Sequence, residues 1–238
     1  MTGARAPDPA RLAHFILRDV SRAVRDYAML RDGDRVAVAV SGGKDSLSLL
    51  ALLQELRRTA GIAYELAAVH VRGDATGVIA AHAPLEAWLA VQGVPWRIVA
   101  PELNAEDQPP LGCNRCTWLR RKALFTAAAE LGCNVLAFAH HADDAAQTAL
   151  LNLLYGGSPR GLAPVADYFE GRFRLIRPLL YTPESELRRF ARASGFPPPP
   201  PLCPQAGDSR RARVAEMLRL LGRDYGQARA NLLKAGIE

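Results

Sequence analysis

The 238-residue chain is long enough for one domain with small appendages and can bury a substantial core. Its 49% hydrophobic and 23% charged residues exclude wholesale disorder and a fibrous repeat. The 30 Lys and Arg against 24 Asp and Glu leave a charge of +6, which fits an anionic partner; all but Lys44, Lys122 and Lys234 are Arg, so genomic base composition is the competing explanation.

The segment Met1 to Pro9 lacks the basic start and apolar core of a secretory signal. Leu12, Phe15, Ile16, Val20, Ala23, Val24 and Tyr27 recur at helical spacing and predict an entry helix over 10–27. Arg35 to Val40 reads as a buried parallel strand running into a glycine loop. Alternation follows: helix 46–59, strand 64–71, helix 79–92, strand 95–99, helix from about 114 to 131, strand 135–139 and helix 143–154. This order predicts an α/β fold, a parallel twisted sheet with helices on both faces. Beyond Gly156-Gly157 the expectations are a short strand at 173–176, a helix at 183–193, five consecutive prolines at 197–201 and a helical tail at 209–233. No apolar run approaches the roughly 20 residues that span a bilayer, so the reading is a cytoplasmic protein with no membrane partner.

Ser41-Gly42-Gly43-Lys44-Asp45-Ser46 stands where the first strand hands over to a helix, the place at which open α/β sheets bind ligands. Two glycines admit an anion close to the backbone, the helix start supplies free N–H groups, and two serines add donors. The loop is neither a Walker A loop nor a dinucleotide fingerprint. A carboxylate in a phosphate loop implies a cation, and Asp45 is assigned Mg²⁺.

Four cysteines, with Cys113 and Cys116 as a C-x-x-C pair, point away from disulfides in a reducing compartment and toward metal or sulfur chemistry. The pair is predicted at a helix start, where Arg115, Arg120, Arg121 and Lys122 would stabilise thiolates. Cys203 could supply a third ligand; half a zinc site, a redox pair and a cluster corner remain open on spacing alone. Cys133 reads as a buried apolar side chain. His140-His141-Ala142-Asp143-Asp144, with Gln147 and Thr148, follows a buried strand at the edge of the sheet that carries the loop. It predicts a role near the phosphate ligand, its magnesium or a substrate, with helix capping as the competing use of the aspartates.

Ser41 to Ser46 resemble the S-G-G-x-D-S loop of PP-loop ATP pyrophosphatases. The further stretches Cys113 to Cys116 with Leu119 to Arg121, His140 to Asp144 with Gln147-Thr148, Leu151 to Gly157, Ile176 to Leu179, and Phe196-Pro197 leading to Cys203 are similar to the TtcA family of tRNA 2-thiocytidine synthetases. That resemblance implies ATP at Ser41, Gly42, Gly43, Lys44, Asp45 and Ser46, with His70, His140 and Asp144 also binding cofactor. It implies a [4Fe–4S] cluster on Cys113, Cys116 and Cys203, and it makes Lys44, Asp45 and these three cysteines the catalytic set. The implied reaction adenylates a cytidine of tRNA, at position 32 of the anticodon loop, and replaces its C2 oxygen with sulfur from a cysteine desulfurase or other donor, with cluster-bound sulfide as the nucleophile.

The family often carries a cysteine where this chain has Pro200, and its usual Asn-Leu-Cys-Gly-Ser becomes Pro-Leu-Cys203-Pro-Gln. That difference keeps another RNA base or a small molecule open as acceptor. A non-catalytic nucleotide or iron–sulfur sensor is the reading from a different class. The cysteine-rich zinc modules that flank related 2-thiouridine enzymes are absent, which favours the thiocytidine branch. The expected organisation is an N-terminal helical segment at 1–33, the ATP-binding α/β domain at 34–180 and a small C-terminal helical region at 181–238. A homodimer is compatible with the sequence.

Overall fold

The computed structural model describes residues 8–78, 80–201, 203 and 210–237. The expected helix start at Ile79, the tail start at Ser209, and the Pro204 and Gln205 next to Cys203 lie outside the described residues.

The elements run in the order α1 (Pro9–Asp26), β1 (Asp34–Ala39), α2 (Lys44–Thr59), β2 (Tyr64–Val71), α3 (Ala83–Ala90), β3 (Trp96–Val99), α4 (Cys113–Glu130), β4 (Val135–Ala137) and α5 (Ala142–Gly156). They continue with β5 (Val165–Tyr168), β6 (Phe173–Ile176), α6 (Glu184–Ser194), α7 (Arg210–Asp224) and α8 (Ala228–Ile237). The strands form one six-stranded sheet in the order β3-β2-β1-β4-β6-β5. After β1 the chain builds outward through β2 and β3, then returns to place β4 on the other side of β1, so a crevice opens at the carboxyl ends of β1 and β4.

Strand alternation decides which residues meet which helices. Val36, Val38, Leu66, Ala68, Val135 and Ile176 pack into one core with residues of α1, α2, α3 and α6, among them Ile16, Val20, Leu50, Leu53, Leu85 and Leu187. Ala37, Val69, Leu136 and Leu175 face the opposite way, against Phe125 and Ala128 of α4, and Cys133 is buried with them as expected. At the far end of the sheet the buried Arg174 donates to Asp34 at 3.2 Å, and Asn134 donates to the same carboxylate at 2.8 Å. This network ties the starts of β1 and β6 together across β4, away from the crevice.

Three expectations are corrected. The sheet is not wholly parallel: β5 pairs antiparallel with β6 at the edge. Their link at 169–172 is far too short for a crossover, and Phe169, Glu170 and Gly171 turn it with positive φ. The helix expected over 79–92 is confined to α3, because Pro84 is tolerated only in a first turn and the His82 side chain accepts from the Leu85 N–H at 3.2 Å. The tail is two helices, broken around Gly226. The second docks through glycine: Gly161 donates its N–H to the Gly236 carbonyl at 2.8 Å, and a Cβ on Gly236 would lie 2.8 Å from that of Ala149.

Candidate active site

Ser41 to Ser46 follow β1 and wind into α2, and the loop is held by its own hydroxyls. Ser46 Oγ accepts from the Ser41 N–H at 3.1 Å and donates to the Gly43 carbonyl at 2.9 Å, while Ser41 Oγ accepts from the Gly43 N–H at 3.2 Å. The N terminus of α2 has no side-chain cap, so its first N–H groups are open to an anion.

Lys44 and Asp45 project beside this opening. Lys44 Nζ lies 2.9 Å from Asp45 Oδ2 and 2.9 Å from Glu184 Oε1 of α6. Burial lowers the Lys44 pKa, but its two carboxylate partners outweigh that and raise it. Burial likewise pushes Glu184 up, and hydrogen bonds from Lys44 and Arg188 override it, holding the carboxyl at about 2. Asp45 Oδ1 is buried and has no hydrogen-bond partner. A buried carboxylate oxygen without a donor is costly, and a hard cation shared with phosphate oxygens is what such an oxygen accommodates. The donor set therefore fits Mg²⁺. Glu184 and Arg188 were not legible as site residues, because an acidic first turn and an i,i+4 ion pair are ordinary helix features.

Two histidines at strand ends are held neutral. Burial lowers the His70 pKa, and its Nδ1 lies 2.7 Å from the Val40 carbonyl, so Nδ1 carries the proton and Nε2 is left as an acceptor. Burial, with Arg177 beside it, holds His140 at about 3. Arg177 Nε donates to His140 Nδ1 at 3.2 Å, which puts the proton on Nε2, and Phe138 stacks on the ring at a centroid distance of 5.6 Å. Below the ordinary histidine value of 6.5 the unfolded chain takes up a proton at His140 and the folded chain does not, so stability falls as pH falls from about 6.5 toward 3, and the lowered pKa of His70 acts in the same direction. Glu184 adds to the loss only below its unfolded value of 4.5. Urea melts between pH 6.5 and 4.5 should show His140 contributing a slope of up to about 1.4 kcal/mol per pH unit, and His140→Gln should flatten it; an unchanged slope in that variant contradicts the assignment.

Two cavities meet at Ser41 of the loop. One, of about 360 Å³, is lined by Val40, Ser41, Asp45, Arg121, Phe138 and His140. The other, of about 390 Å³, is lined by His70, Asp74, His82, Pro200, Cys116 and Cys203. Ser41, Val71 and Arg120 line both. Cys116 and Cys203 meet over Ala75, Leu111 and Leu119, and Cys113 stands exposed one turn earlier on α4. Of the cations expected near the thiols, Arg120 is the one that acts on Cys116. Arg115 is bound in two places to Asp107, at 2.6 and 2.9 Å, and Lys122 lies 3.7 Å from Glu102. Burial pushes the Cys116 thiol up, with Arg120 opposing it. Among the described residues no three His, Cys, Asp or Glu side chains converge on a single ion; a cluster is held at its corners and spreads its cysteines more widely, and two half-buried thiols with a third one turn away suit that.

The proline run explains how Cys203 gets there. It leaves α6 extended and crosses the loop, so that a Cβ on Gly42 would lie 2.8 Å from Pro200 Cδ and 3.3 Å from Leu85 Cδ2. Gly42 also has φ +85°. Gly42→Ala should cost roughly 1–3 kcal/mol of stability from backbone strain and overpacking and should weaken ATP binding, since the proline ring cannot yield as a flexible side chain would. Thermal melts and ATP titration check this, and wild-type behaviour in both counts against the packing role.

The histidine–aspartate run divides its work. His140 lines the first cavity, while His141 and Asp144 close a capping box on α5, in line with the competing reading of the sequence. Asp143 accepts from the Glu184 N–H at 2.8 Å, capping α6 from a distance, and from Arg229 at 2.6 Å. Gln147 donates to the Arg211 carbonyl at 2.7 Å, and Arg211 donates to Thr148 Oγ1 at 3.3 Å. These residues secure α6, α7 and α8 around the loop. Arg115, Arg211 and Arg229 are thus engaged within the chain, as is Arg219 with Glu216.

A family described as a PP-loop domain matches residues 14–197. A tRNA-cytidine(32) 2-sulfurtransferase of Anaeromyxobacter dehalogenans (strain 2CP-C) is 39% identical over 231 residues, covering 94% of this chain and 79% of the relative. The chain belongs to the tRNA-cytidine(32) 2-sulfurtransferase family of PP-loop proteins. A member from Sodalis glossinidius (strain morsitans) is 38% identical over 231 residues, 94% of this chain, which spans 65% of that relative's length. Among solved structures, the U34-tRNA thiolase NcsA from Methanococcus maripaludis with its [4Fe-4S] cluster superposes with a TM-score of 0.73 at 24% identity, over 93% of this chain and 78% of that one. That likeness bears on the fold. The sulfurtransferase-family chain has the loop at the end of its first strand, and among the described residues it has no helix long and apolar enough to cross a membrane.

Proposed function

We propose that this chain is an ATP-dependent tRNA-cytidine(32) 2-sulfurtransferase. The observation that carries the reading is the shared wall of the two cavities: Ser41, Val71 and Arg120 separate a loop suited to a triphosphate from a pocket lined by Cys116 and Cys203. Activation and sulfur delivery at one base atom need such adjacency.

In this reading the C2 oxygen of cytidine attacks the α-phosphorus of ATP and pyrophosphate leaves. A sulfur nucleophile then adds to C2, and the oxygen departs with AMP. The open N–H groups of α2 and the loop hydroxyls receive the phosphates. Lys44 offsets their charge, and Asp45 holds Mg²⁺ through the oxygen left without a donor. His140 Nε2–H is a neutral donor at the first cavity, and Arg120 reaches across the shared wall. Cys113, Cys116 and Cys203 would hold a [4Fe–4S] cluster, which supplies an iron without a protein ligand to which exogenous sulfur can bind. Sulfur comes from a cysteine desulfurase or an equivalent donor, and the net charge of +6 attracts the chain to the tRNA backbone.

The test is mass spectrometry of nucleosides from unmodified tRNA after incubation without oxygen with the cluster-loaded protein, ATP, Mg²⁺ and sulfide. 2-Thiocytidine confined to position 32 is expected. Its absence, with the cluster verified and ATP still cleaved, overturns the acceptor and points to the segment around Pro200.

A further inference from the structure

Glu184 lies outside every motif that the reading above uses, yet its carboxylate is built into the loop. Lys44 Nζ sits 2.9 Å from both Glu184 Oε1 and Asp45 Oδ2, so these two oxygens are neighbours held together by one ammonium. Asp45 Oδ1 has no donor at all. Glu184 is not free to drift: Arg188 holds its second oxygen at 2.9 Å, and Asp143 receives its N–H at 2.8 Å. A triphosphate in the loop draws Lys44 toward its own oxygens, because its several negative charges exceed those of the two carboxylates that hold the ammonium. Once Lys44 leaves, Asp45 loses the cation it pairs with and faces the anchored Glu184 as a like charge, which favours the entry of another cation between them.

We propose that Lys44 occupies the place of the divalent cation in the nucleotide-free chain, and that Glu184 is the second carboxylate for the Mg²⁺ that enters with ATP. The cation takes Asp45, Glu184 and phosphate oxygens, while Lys44 moves to the phosphates. One or two carboxylates completed by substrate phosphates is how Mg²⁺ is commonly bound. Asp143 then acts as a positioning residue by capping the helix that carries Glu184.

This rests on the ATP-dependent reading, and the experiment separates the two. ATP affinity of the cluster-loaded protein is measured by calorimetry with Mg²⁺ and with EDTA. If the wild type binds ATP in neither condition, the ATP-dependent reading falls, and this proposal with it. If it binds, Glu184→Gln should lower the Mg²⁺-dependent gain in affinity at least about tenfold and leave affinity in EDTA nearly unchanged; Glu184→Asp should keep most of the gain. Glu186→Gln, on the same helix but paired with Arg189, should match the wild type. An equal change in both conditions for Glu184→Gln means that the residue only restrains Lys44, and it overturns the proposal. A measurement on the wild type needs no variant: with Mn²⁺ in place of Mg²⁺ and ¹³C-labelled glutamate, the bound ion should show ¹³C hyperfine coupling, and its absence overturns the proposal.

Discussion

Replacing Cys116 by Ala should abolish 2-thiocytidine formation while ATP affinity stays close to wild type. Cys116 is half-buried, packs with Cys203 over Ala75, Leu111 and Leu119, and lies on the far side of the Ser41–Arg120 wall from the cavity that contains the loop. Its loss removes a thiol from the sulfur pocket without touching a loop donor. Removing a mere supporting partner of a metal site costs roughly 10–100-fold, and loss of a ligand should exceed that. Cys203→Ala should behave alike, because the proline run across Gly42 positions it and not the thiol itself. Cys133→Ala is the control: it is buried among Ala37, Phe125 and Leu136, so it should cost about 1 kcal/mol of stability and leave thiolation intact. Nucleoside mass spectrometry, with iron and sulfide content measured on each variant, decides the matter. Full thiolation by Cys203→Ala purified without oxygen would sink the sulfur-pocket assignment.

Asp45→Asn should reduce magnesium-dependent pyrophosphate release by roughly 10²–10³-fold, the scale on which a lost electrostatic contact to a reacting phosphate is felt. The amide matches the carboxylate in shape, and Glu184 still holds Lys44 at 2.9 Å, so the loop should stay folded. What disappears is the negative charge that a hard cation requires at Oδ1. Raising Mg²⁺ should recover little of the rate. Near-normal pyrophosphate release at ordinary Mg²⁺ would remove Asp45 from the metal site.

The alternation of strands and helices as far as α5, the loop and the cysteine pair were legible because each leaves a local signature. Val36 to Val40 could only be a buried strand, and Ser41 to Ser46 at its end could only be a tight turn presenting N–H groups. Cys133 could be set aside by its place between a helix end and a strand. The antiparallel β5 was missed because Val165–Tyr168 is four residues of mixed polarity at an edge, with one partner and little burial to impose a pattern. His70 illustrates the middle ground: its position at a strand end is readable, but its tautomer is decided by the Val40 carbonyl, which approaches only because β1 and β2 pair in register.

The sequence by itself determined the α/β class, the glycine loop at the end of the first strand with Asp45 inside it, and the C-x-x-C pair at a helix start, since all of these depend on residue types at short spacing. Only the tertiary structure decided that Lys44 is held by a carboxylate 140 residues away, that Asp143 and Gln147 serve neighbouring helices, and that Cys203 returns to Cys116 over the loop. Those contacts join segments far apart in the chain. The physical reason is that a side chain's partner is set by how the sheet and its covering helices stack, and that stacking depends on every buried residue at once.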